Sequence, residues 1–538
     1  MRKMKTQFTL IISFILSLTI SSCEKEYLEY PSTTQPTVDN YYNSAEEVYG
    51  ATGLLYGRVW NRWFDKAFTS VGDVLGGTVT GVAGNPQYNS FYNFNIQSTD
   101  GLVGDTWTSC YKAAGNASVL IETFELKKEQ IGEQPFLTIG IAEARFIRAF
   151  AYFYIARTFG DAPIVESPLE LTKSGSGLVP RYFQADVLRF AIEDLKFAEE
   201  NLPEVAYQLG RVTSYSAKGM MAKVYLYMKD YENAKAKAKE VIDYANATGL
   251  VGLYPNYNEL FTSSAVGRGN VESLFALQWT ADASWDGGNR FMTYAAPKPL
   301  VAPAPTNSTA GWSAVVPSID MLDPATGYAP GDMRRQWSVM EQGFHRDDWV
   351  NDSYPNGFTY DTTGLTTDNT YIFTATRSNI QKYMVGPNRT GEPVTTDAHS
   401  SMPTYILRYA DVLLIYAEAV MGGSGATADA LALEAFNAVH TRAGLDPVTN
   451  LTMDELLHER KVEFAFEGDY WFDIQRQGLA KASQMVASQE RGTYGDNRVL
   501  NSFKATIPSG FDLYLPVPQS ETVINPLLLD DPVSYYED

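Results

Sequence analysis

The chain has 538 residues, of which 45% are hydrophobic and 20% charged, and its formal net charge is -21 at pH 7. A surface this acidic repels phosphate backbones, so the composition argues against a nucleic-acid-binding protein. The chain has only two cysteines, which is too few for a fold that depends on several disulfide bonds.

The first 22 residues have the layout of a bacterial lipoprotein signal. Three basic residues precede an apolar run over 8–20, and small residues lead into Cys23. The run is shorter than the ~20 residues that a helix needs to span a bilayer, so we predict cleavage before Cys23 and lipidation of its thiol. The alternative is an ordinary signal peptide with a coincidental cysteine. Removal of the leader, with its three basic and no acidic residues, takes the net charge from -21 to -24.

Residues 23–36 mix charge, proline and threonine without periodicity, and we expect them to form an extended lipidated tether. Residues 37–538 contain no linker-like composition, so we predict a single body. No other apolar window of about 18 residues occurs, which leaves the lipid as the one predicted membrane attachment. Cys110 then has no partner within the chain and is predicted to be a buried helical thiol.

The first half of the body, 37–247, is predicted to be helical. A capping box at Ser44 to Glu47 opens the first helix, which we expect to run toward Trp60 or Trp63. Apolar periodicity predicts further helices near 105–125, 140–158, 182–200, 214–228 and 231–246. The last two resemble a tetratricopeptide hairpin, because the small residues Ala217, Gly219 and Ala222 allow a neighbouring helix to approach.

The middle of the body, 248–403, has a different composition, rich in proline, glycine, asparagine, threonine and aromatic residues. We predict a large irregular insertion with at most short strands. Its polar segment 361–369 is either a plain loop or a structural calcium site, and we expect no other cofactor. Helices return at 404–421, 427–442 and 452–467 before a C-terminal tail that ends at 538.

We find no nucleophile elbow, P-loop, dinucleotide fingerprint or zinc-binding spacing, so the sequence predicts no catalytic and no metal-ligating residues. Glu463 and Glu467 lie one helical turn apart, but the aromatic residues between them favour a packed helix over a catalytic pair.

Five stretches of the chain resemble a known family. Residues 143–161, 406–419 and 459–473 are similar to signature helices of the SusD/RagB family, and 515–518 with 524–526 are similar to its C-terminal tail. The resemblance covers nearly all of the mature chain. It implies a mainly α, SusD-like fold in which tetratricopeptide-like helical hairpins support the loop-rich insertion.

The resemblance also implies a function. Members of the family are lipoproteins that face the exterior of the outer membrane, bind oligosaccharides or polysaccharides without catalysis and cover a TonB-dependent transporter of the SusC type. The acidic residues after Cys23 are similar to the signal that exports such lipoproteins to the surface. Two alternatives stay open, a peptide-binding RagB-like cargo and a surface glycan-degrading enzyme. The repeat helices over 182–246 are expected to dock onto the transporter rather than bind ligand.

A glycan-capturing surface needs exposed flat rings for stacking and polar side chains for the hydroxyl groups. We assign Trp60, Trp63, Trp107 and Trp471 to the core, because they lie at helical spacing or at helix ends. Trp285 lies in a glycine-rich loop with Asn289 and Arg290, and Trp312 follows a glycine where the family often has a Gly-Trp pair. These four residues are therefore candidate ligand contacts.

A second group of candidates comes from the region 85–94, which the family commonly uses for stacking. It offers Tyr88, Asn89 and Tyr92. Asp73 matches a family acid that can reach the ligand, although an aspartate at a helix end is more often a cap.

Overall fold

The computed structural model describes residues 37–81, 86–262, 264–280, 287–297, 311–350, 355–362, 375–385, 399–495 and 498–536. The predicted signal segment, Cys23 and the tether lie outside these ranges, as do Trp285 and most of the possible calcium loop at 361–369.

The N-terminal half is built from helices of very different length. Its elements are α1 Ala45–Gly53, β1 Val79–Gly81, α2 Asn89–Tyr92, α3 Gly101–Ile131, α4 Pro135–Phe159, α5 Pro168–Ser174, α6 Gln184–Asn201, α7 Ser214–Tyr227 and α8 Tyr231–Thr248. The helices predicted from periodicity are therefore confirmed as α3, α4, α6, α7 and α8.

The first predicted helix is shorter than expected. Ser44 caps α1 by accepting a hydrogen bond from the backbone N–H of Glu47 (3.4 Å). The chain then continues through 3₁₀ turns at Leu54–Tyr56 and Arg58–Trp60 and through π-helical turns at Trp63–Ala67 and Ser70–Val74. The helical segment predicted to run toward Trp63 is therefore present, but it changes from α-helical to 3₁₀ and then to π-helical turns. Its side chains therefore point in directions that differ from those on a regular α-helix.

The long helices pack in chain order, α3 on α4, α4 on α6, α6 on α7 and α7 on α8. This sequential packing is typical of tetratricopeptide-like hairpins and confirms the predicted scaffold. Gly219 of α7 is a point of close approach, and its nearest neighbours are Leu407, Leu274 and, from the helix Tyr409–Met421, Val412. A side-chain carbon at Gly219 would lie only 3.0 Å from Leu407 Cδ2. A strand pair and the helix that contains Val412 therefore share the gap that the sequence predicted for a helix.

The middle region contains short elements. They are α9 Tyr257–Thr262, α10 Ser264–Gly267, β2 Ser273–Leu277, α11 Phe291–Ala295, β3 Val315–Pro317, α12 Ile319–Leu322, α13 Arg334–Ser338, β4 Val339–Met340, β5 His345–Arg346, β6 Phe358–Thr359 and β7 Asn379–Ile380. The antiparallel pair of β1 with β3, in which Val79 lies opposite Pro317, ties this region to the N-terminal half.

The C-terminal part returns to helices. Its elements are β8 Thr404–Arg408, α14 Tyr409–Met421, β9 Ala426–Thr427, α15 Ala430–Arg442, β10 Leu451–Thr452, α16 Met453–Glu463, α17 Tyr470–Gln475, α18 Leu479–Ser488, β11 Thr493–Tyr494, β12 Leu500–Asn501 and α19 Gln519–Ile524, followed by a 3₁₀ turn at Pro526–Leu529. The segment predicted as one helix over 404–421 begins as a strand, because 404–408 pairs antiparallel with β2.

The interior contains ion pairs as well as apolar side chains. Arg408, at the end of β8, donates to Glu463 (2.8 Å), Glu467 (2.9 Å) and Glu272 (2.5 Å), and all four side chains are buried. Burial alone raises the pKa of Glu463, yet the neighbouring guanidinium groups hold that pKa well below its usual range. Glu463 and Glu467 are thus packed scaffold residues, as the sequence predicted.

The four tryptophans assigned to the core, Trp60, Trp63, Trp107 and Trp471, are all buried, and so is Cys110. Within the described part of the chain, we find no helix that combines the length and the apolar character needed to cross a bilayer.

Candidate functional site

Trp312 is a large aromatic side chain at the surface, with 41% of its area exposed. Its backbone is held firmly, because Trp312 N–H donates to Thr293 O (2.8 Å) and Ala314 N–H donates to Tyr294 O (2.7 Å). The preceding Gly311 is required by space, since a side-chain carbon there would lie 2.3 Å from the carbonyl oxygen of Pro297. The Gly-Trp pair therefore presents one indole ring on a rigid turn.

The ring of Tyr294 supports this indole from the side. The two ring centroids are 5.3 Å apart with an interplanar angle of 74°. Tyr294 is buried, and its hydroxyl donates to the carboxylate of Asp65. Burial and the adjacent Asp65 carboxylate raise the pKa of Tyr294 well above its ordinary value, so the tyrosine stays a neutral donor.

The π-helical turn Trp63–Ala67 places further polar groups beside these rings. The Nζ of Lys66 lies 5.5 Å from the ring centroid of Tyr294, and Asp65 is partly exposed. One turn earlier, Arg62 Nη1 lies 3.7 Å from Asp105 Oδ1 of α3; the Arg62 side chain is largely exposed and that of Asp105 is partly buried. A pair that is this open and this long contributes little stability, so its groups can exchange partners with a ligand.

Asn289 and Arg290 do not reach the surface. Asn289 Nδ2 donates to Met402 O (2.8 Å). Arg290 is buried and its Nη1 lies 3.4 Å from Asp65 Oδ1. The structure therefore places Arg290 behind the site, where it orients Asp65, while Asn289 joins the turn to the segment after 399.

Tyr88 and Asn89 lie at the start of α2. Tyr88 is buried, with its Cβ so close to Gly81 that a side chain on that glycine would approach within 2.7 Å. Burial raises the pKa of Tyr88 well above its ordinary value, and the negative charge of Asp65 adds to the shift. In this conformation the Tyr88 ring offers no stacking face, whereas Asn89 is exposed.

Tyr92 lies apart from this group. Its ring stacks on Phe503 at a centroid distance of 5.0 Å, and its hydroxyl donates to Arg491 O. Partial burial raises the pKa of Tyr92 to about 12. One face of the ring is thus already covered by protein.

Asp73 is fully buried, and its carboxylate binds backbone N–H groups of a distant turn. It accepts hydrogen bonds from the N–H groups of Phe466 (3.1 Å) and Gly468 (2.9 Å) and from the hydroxyl of Thr78 (2.8 Å). Burial raises its pKa to about 7. All of these donors are internal, so Asp73 holds the 466–468 turn against the coil at 70–74 and does not face solvent.

The site that results is a shallow surface rather than a reaction chamber. An exposed indole ring suits the C–H face of a sugar. The charged groups of Asp65 and Lys66, which adjoin the supporting Tyr294, and the Arg62–Asp105 pair beyond them suit hydroxyl groups. No group of three or more histidine, cysteine, aspartate or glutamate side chains in the described ranges is placed to hold a metal ion.

The sequence pointed to Trp312 but missed Tyr294, Asp65, Lys66 and Arg62. Asp65 and Lys66 stand in an apolar helical stretch, where the π-helical pitch that turns them toward Tyr294 leaves no signal in local periodicity. Trp285 lies outside the described residues, so its contact with a ligand stays a prediction.

Comparisons with known proteins show the family to which the chain is related. A family model described as "SusD family" matches residues 271–533, and one described as "Starch-binding associating with outer membrane" matches residues 66–226. A SusD-like protein of Bacteroides ovatus is 28% identical, with 98% of each chain covered. SusD-like protein P2 of Formosa agariphila is 25% identical, covering 99% of this chain and 100% of its own.

Solved structures show the same relationship. A crystal structure with xylogluco-oligosaccharide has 28% identity and a TM-score of 0.75, and the alignment covers 91% of this chain and 99% of that one. A laminarin-binding SusD-like protein, 23% identical, shares the fold with a TM-score of 0.67 over 90% of this chain and 98% of its own. Because two family models, full-length relatives and full-length structural matches all agree, the chain belongs to the SusD family.

Proposed function

We propose that this protein is a cell-surface lipoprotein that binds an oligosaccharide or polysaccharide without catalysis and delivers it to a SusC-type TonB-dependent transporter in the outer membrane. Trp312 carries the proposal. Its exposed indole is fixed on a rigid turn and lies edge-on to Tyr294, the ring that Asp65 and Lys66 adjoin. A tryptophan held at the surface in this way has a clear use in stacking on a sugar ring.

The relative solved with xylogluco-oligosaccharide supports a glycan as cargo, and the match to a model that describes association with the outer membrane supports the location. A modest affinity is enough for such a protein, because tethering beside a transporter raises the local ligand concentration at the pore. The predicted lipid on Cys23 would provide that tethering.

Calorimetric titration of the purified mature protein tests the capture step. The panel includes xylogluco-oligosaccharide, other neutral polysaccharides, acidic polysaccharides and a tryptic digest of casein. We expect saturable binding to at least one glycan and none to the peptides. Binding to peptides alone would instead support the RagB-like alternative. Prolonged incubation with each polysaccharide, read for new reducing ends, should stay at the level of the blank; their accumulation would identify an enzyme.

A further inference from the structure

A cavity of about 320 Å³ lies among three helices, α8, α14 and α15. Both α8 and α15 pack on α14, so the cavity occupies the gap between them. It shares no lining residue with the candidate glycan surface around Trp312. A volume of this size is at the lower end of the range for pockets that hold small organic ligands.

The walls of the cavity are apolar, and small side chains keep it open. Ile242 of α8 and Leu413 of α14 line it together with Ala435 and Ala438 of α15. Alanine at both α15 positions leaves space beside α14 that a longer side chain would occupy. The cavity therefore depends on residue size along α15, and one larger residue there would fill it.

Two tyrosines of α14 bring polar groups to this apolar gap. Tyr409 and Tyr416 line the cavity seven residues apart, which places them on one face of the helix at a separation of roughly 10 Å. Each residue is only 6% exposed. Neither hydroxyl has a hydrogen-bond partner in the described part of the chain, yet neither is sealed from solvent. A ligand that bonds to these hydroxyls therefore supplies partners that the protein itself does not.

Both tyrosines stay protonated at neutral pH. Burial raises the pKa of Tyr409 to about 12, and the negative charges of Glu434 and Asp243 add to the shift. Burial also raises the pKa of Tyr416. Each phenol hydroxyl can therefore donate one hydrogen bond and accept another.

The mouth of the cavity carries a net negative charge. Lys239 and Asp243 of α8 form an exposed ion pair (2.7 Å), so their charges cancel. Glu434 of α15 is exposed and forms no ion pair with any residue that the structure describes. The charged lining residues thus leave one uncompensated carboxylate, on a chain with a net charge of -21. Local and overall charge both favour a cation over an anion at this mouth.

We propose that this cavity binds a small amphipathic amine, whose aromatic or aliphatic body enters the gap while its protonated amino group stays at the mouth. The body lies against Leu413, Ala435 and Ala438, where its apolar surface leaves water. The ammonium group lies near Glu434 and donates to a tyrosine hydroxyl oxygen. This site is separate from the glycan surface, so the proposal does not rest on glycan binding.

Isothermal titration calorimetry of the full mature chain with three indole probes tests this proposal. The probes share one ring and a short side chain that ends in an amine (tryptamine), an alcohol (tryptophol) or a carboxylate (indole-3-propionate). We expect one saturable site for tryptamine, weaker binding of tryptophol and the weakest binding of the carboxylate, because the mouth is negative.

Two variants assign that binding to the cavity. Ala438→Leu fills the gap and should lower the affinity for tryptamine at least about tenfold, while glycan affinity stays at the wild-type level. The double variant Tyr409→Phe, Tyr416→Phe removes both hydroxyls and should lower the affinity about threefold to tenfold. The double variant keeps its melting temperature, because the hydroxyls have no partner in the described chain, and it decides the question if Ala438→Leu does not fold.

A third variant tests the preference for a cation. Glu434→Gln should lower the affinity for tryptamine about threefold and leave that for tryptophol unchanged. Glu232→Gln is the matched control, since Glu232 is an exposed carboxylate of α8 that does not line the cavity. It should bind all three probes as the wild type does.

Three results would overturn the proposal. They are the absence of saturable tryptamine binding, wild-type tryptamine affinity in the folded cavity variants, and a carboxylate probe that binds as tightly as the amine. An equal loss of tryptamine affinity in Glu232→Gln and Glu434→Gln would also count against it, because the effect would then come from overall charge rather than from the mouth of the cavity.

Discussion

At the scale of single residues, Trp312 owes its position to its backbone neighbours. Gly311, the hydrogen bonds to Thr293 and Tyr294 and the positive φ of Ser313 (46°) define the turn. The indole makes an edge contact with Tyr294 and leaves 41% of its area exposed. Truncation of the side chain should therefore remove a ligand contact without removing the turn.

We predict that Trp312→Ala loses most glycan binding while the protein stays folded. A stacked ring at the centre of a shallow site commonly contributes ~2 kcal/mol or more, about thirtyfold in affinity. Trp285→Ala is expected to act in the same way. Calorimetric titration and thermal melting of each variant measure binding and stability separately, and Trp312→Phe should keep part of the affinity because it keeps a flat ring.

Trp471→Ala serves as the contrasting control, since Trp471 is buried and its loss should cost ~3 to 5 kcal/mol of stability. If Trp312→Ala instead lowered the melting temperature strongly with unchanged affinity, the indole would be a packing residue and the binding surface would have to be sought elsewhere.

The second prediction concerns Asp73, because its burial raises the pKa of the carboxyl group to about 7, well above the ordinary value for aspartate. The folded state binds the proton more tightly than the unfolded chain, so this contribution to stability is complete below pH ~4 and is lost as the pH rises through 7. The amide side chain introduced by Asp73→Asn does not ionise, so the stability of the variant lacks this dependence on pH. Between pH 5 and pH 8 the free energy of unfolding of the variant should gain about 2 to 3 kcal/mol relative to the wild type.

Denaturant unfolding of both proteins at the two pH values measures this difference. A gap between wild type and variant that is the same at pH 5 and pH 8 would show that Asp73 ionises normally despite its burial.

At the scale of elements, α16 and β8 are joined by buried charges. Arg408 alone binds three carboxylates, Glu272, Glu463 and Glu467. We predict that Arg408→Met destabilises the protein by ~3 to 5 kcal/mol or prevents folding, because the acids would remain buried without this partner. Arg335→Met, which removes a half-exposed pair with Glu341, should cost ~1 kcal/mol or less. Chemical denaturation measures the free energy of unfolding of both variants. Equal losses of stability would contradict the conclusion that the buried ion pairs of Arg408 hold the interior together.

The outer face of α6 yields a prediction about assembly. Lys196 and Glu200 are exposed there, one turn apart. Because stacked helices provide a broad rigid surface, we expect Lys196→Glu with Glu200→Lys to weaken co-purification of the transporter and to leave glycan affinity unchanged. Glu129→Lys, an exposed change on α3, is the control. Loss of glycan binding with an intact complex would show that this helical face belongs to the ligand site instead.

At the scale of the whole molecule, the body buries its own core, so attachment to the membrane should depend on the lipid. Cys23→Ala is expected to give a folded protein that no longer partitions with outer membranes. Fractionation after a salt wash, in a strain without the transporter, measures this directly. A variant that stays in the membrane fraction would count against Cys23 as the anchor.

Much of the fold could be predicted from the sequence because it depends on local periodicity. Apolar spacing located α3, α4, α6, α7 and α8, and the signature stretches at 143–161 and 459–473 led to the SusD family. Burial of Trp60 and Trp471 followed from their helical positions. These features depend on residues a few positions apart, which a single sequence displays.

The binding surface depends on contacts that the sequence alone does not display. Asp65 meets Tyr294 and Arg290 across more than 220 residues of chain, and only the packing of the middle region onto the first coil brings them together. Tertiary packing also buries Tyr88 and Asp73, which the family resemblance had suggested as ligand contacts, and Asp73 accepts hydrogen bonds from the distant 466–468 turn. The sequence by itself determined the helical scaffold and the family. The tertiary structure decided which polar and aromatic side chains face solvent, because burial is set by distant segments.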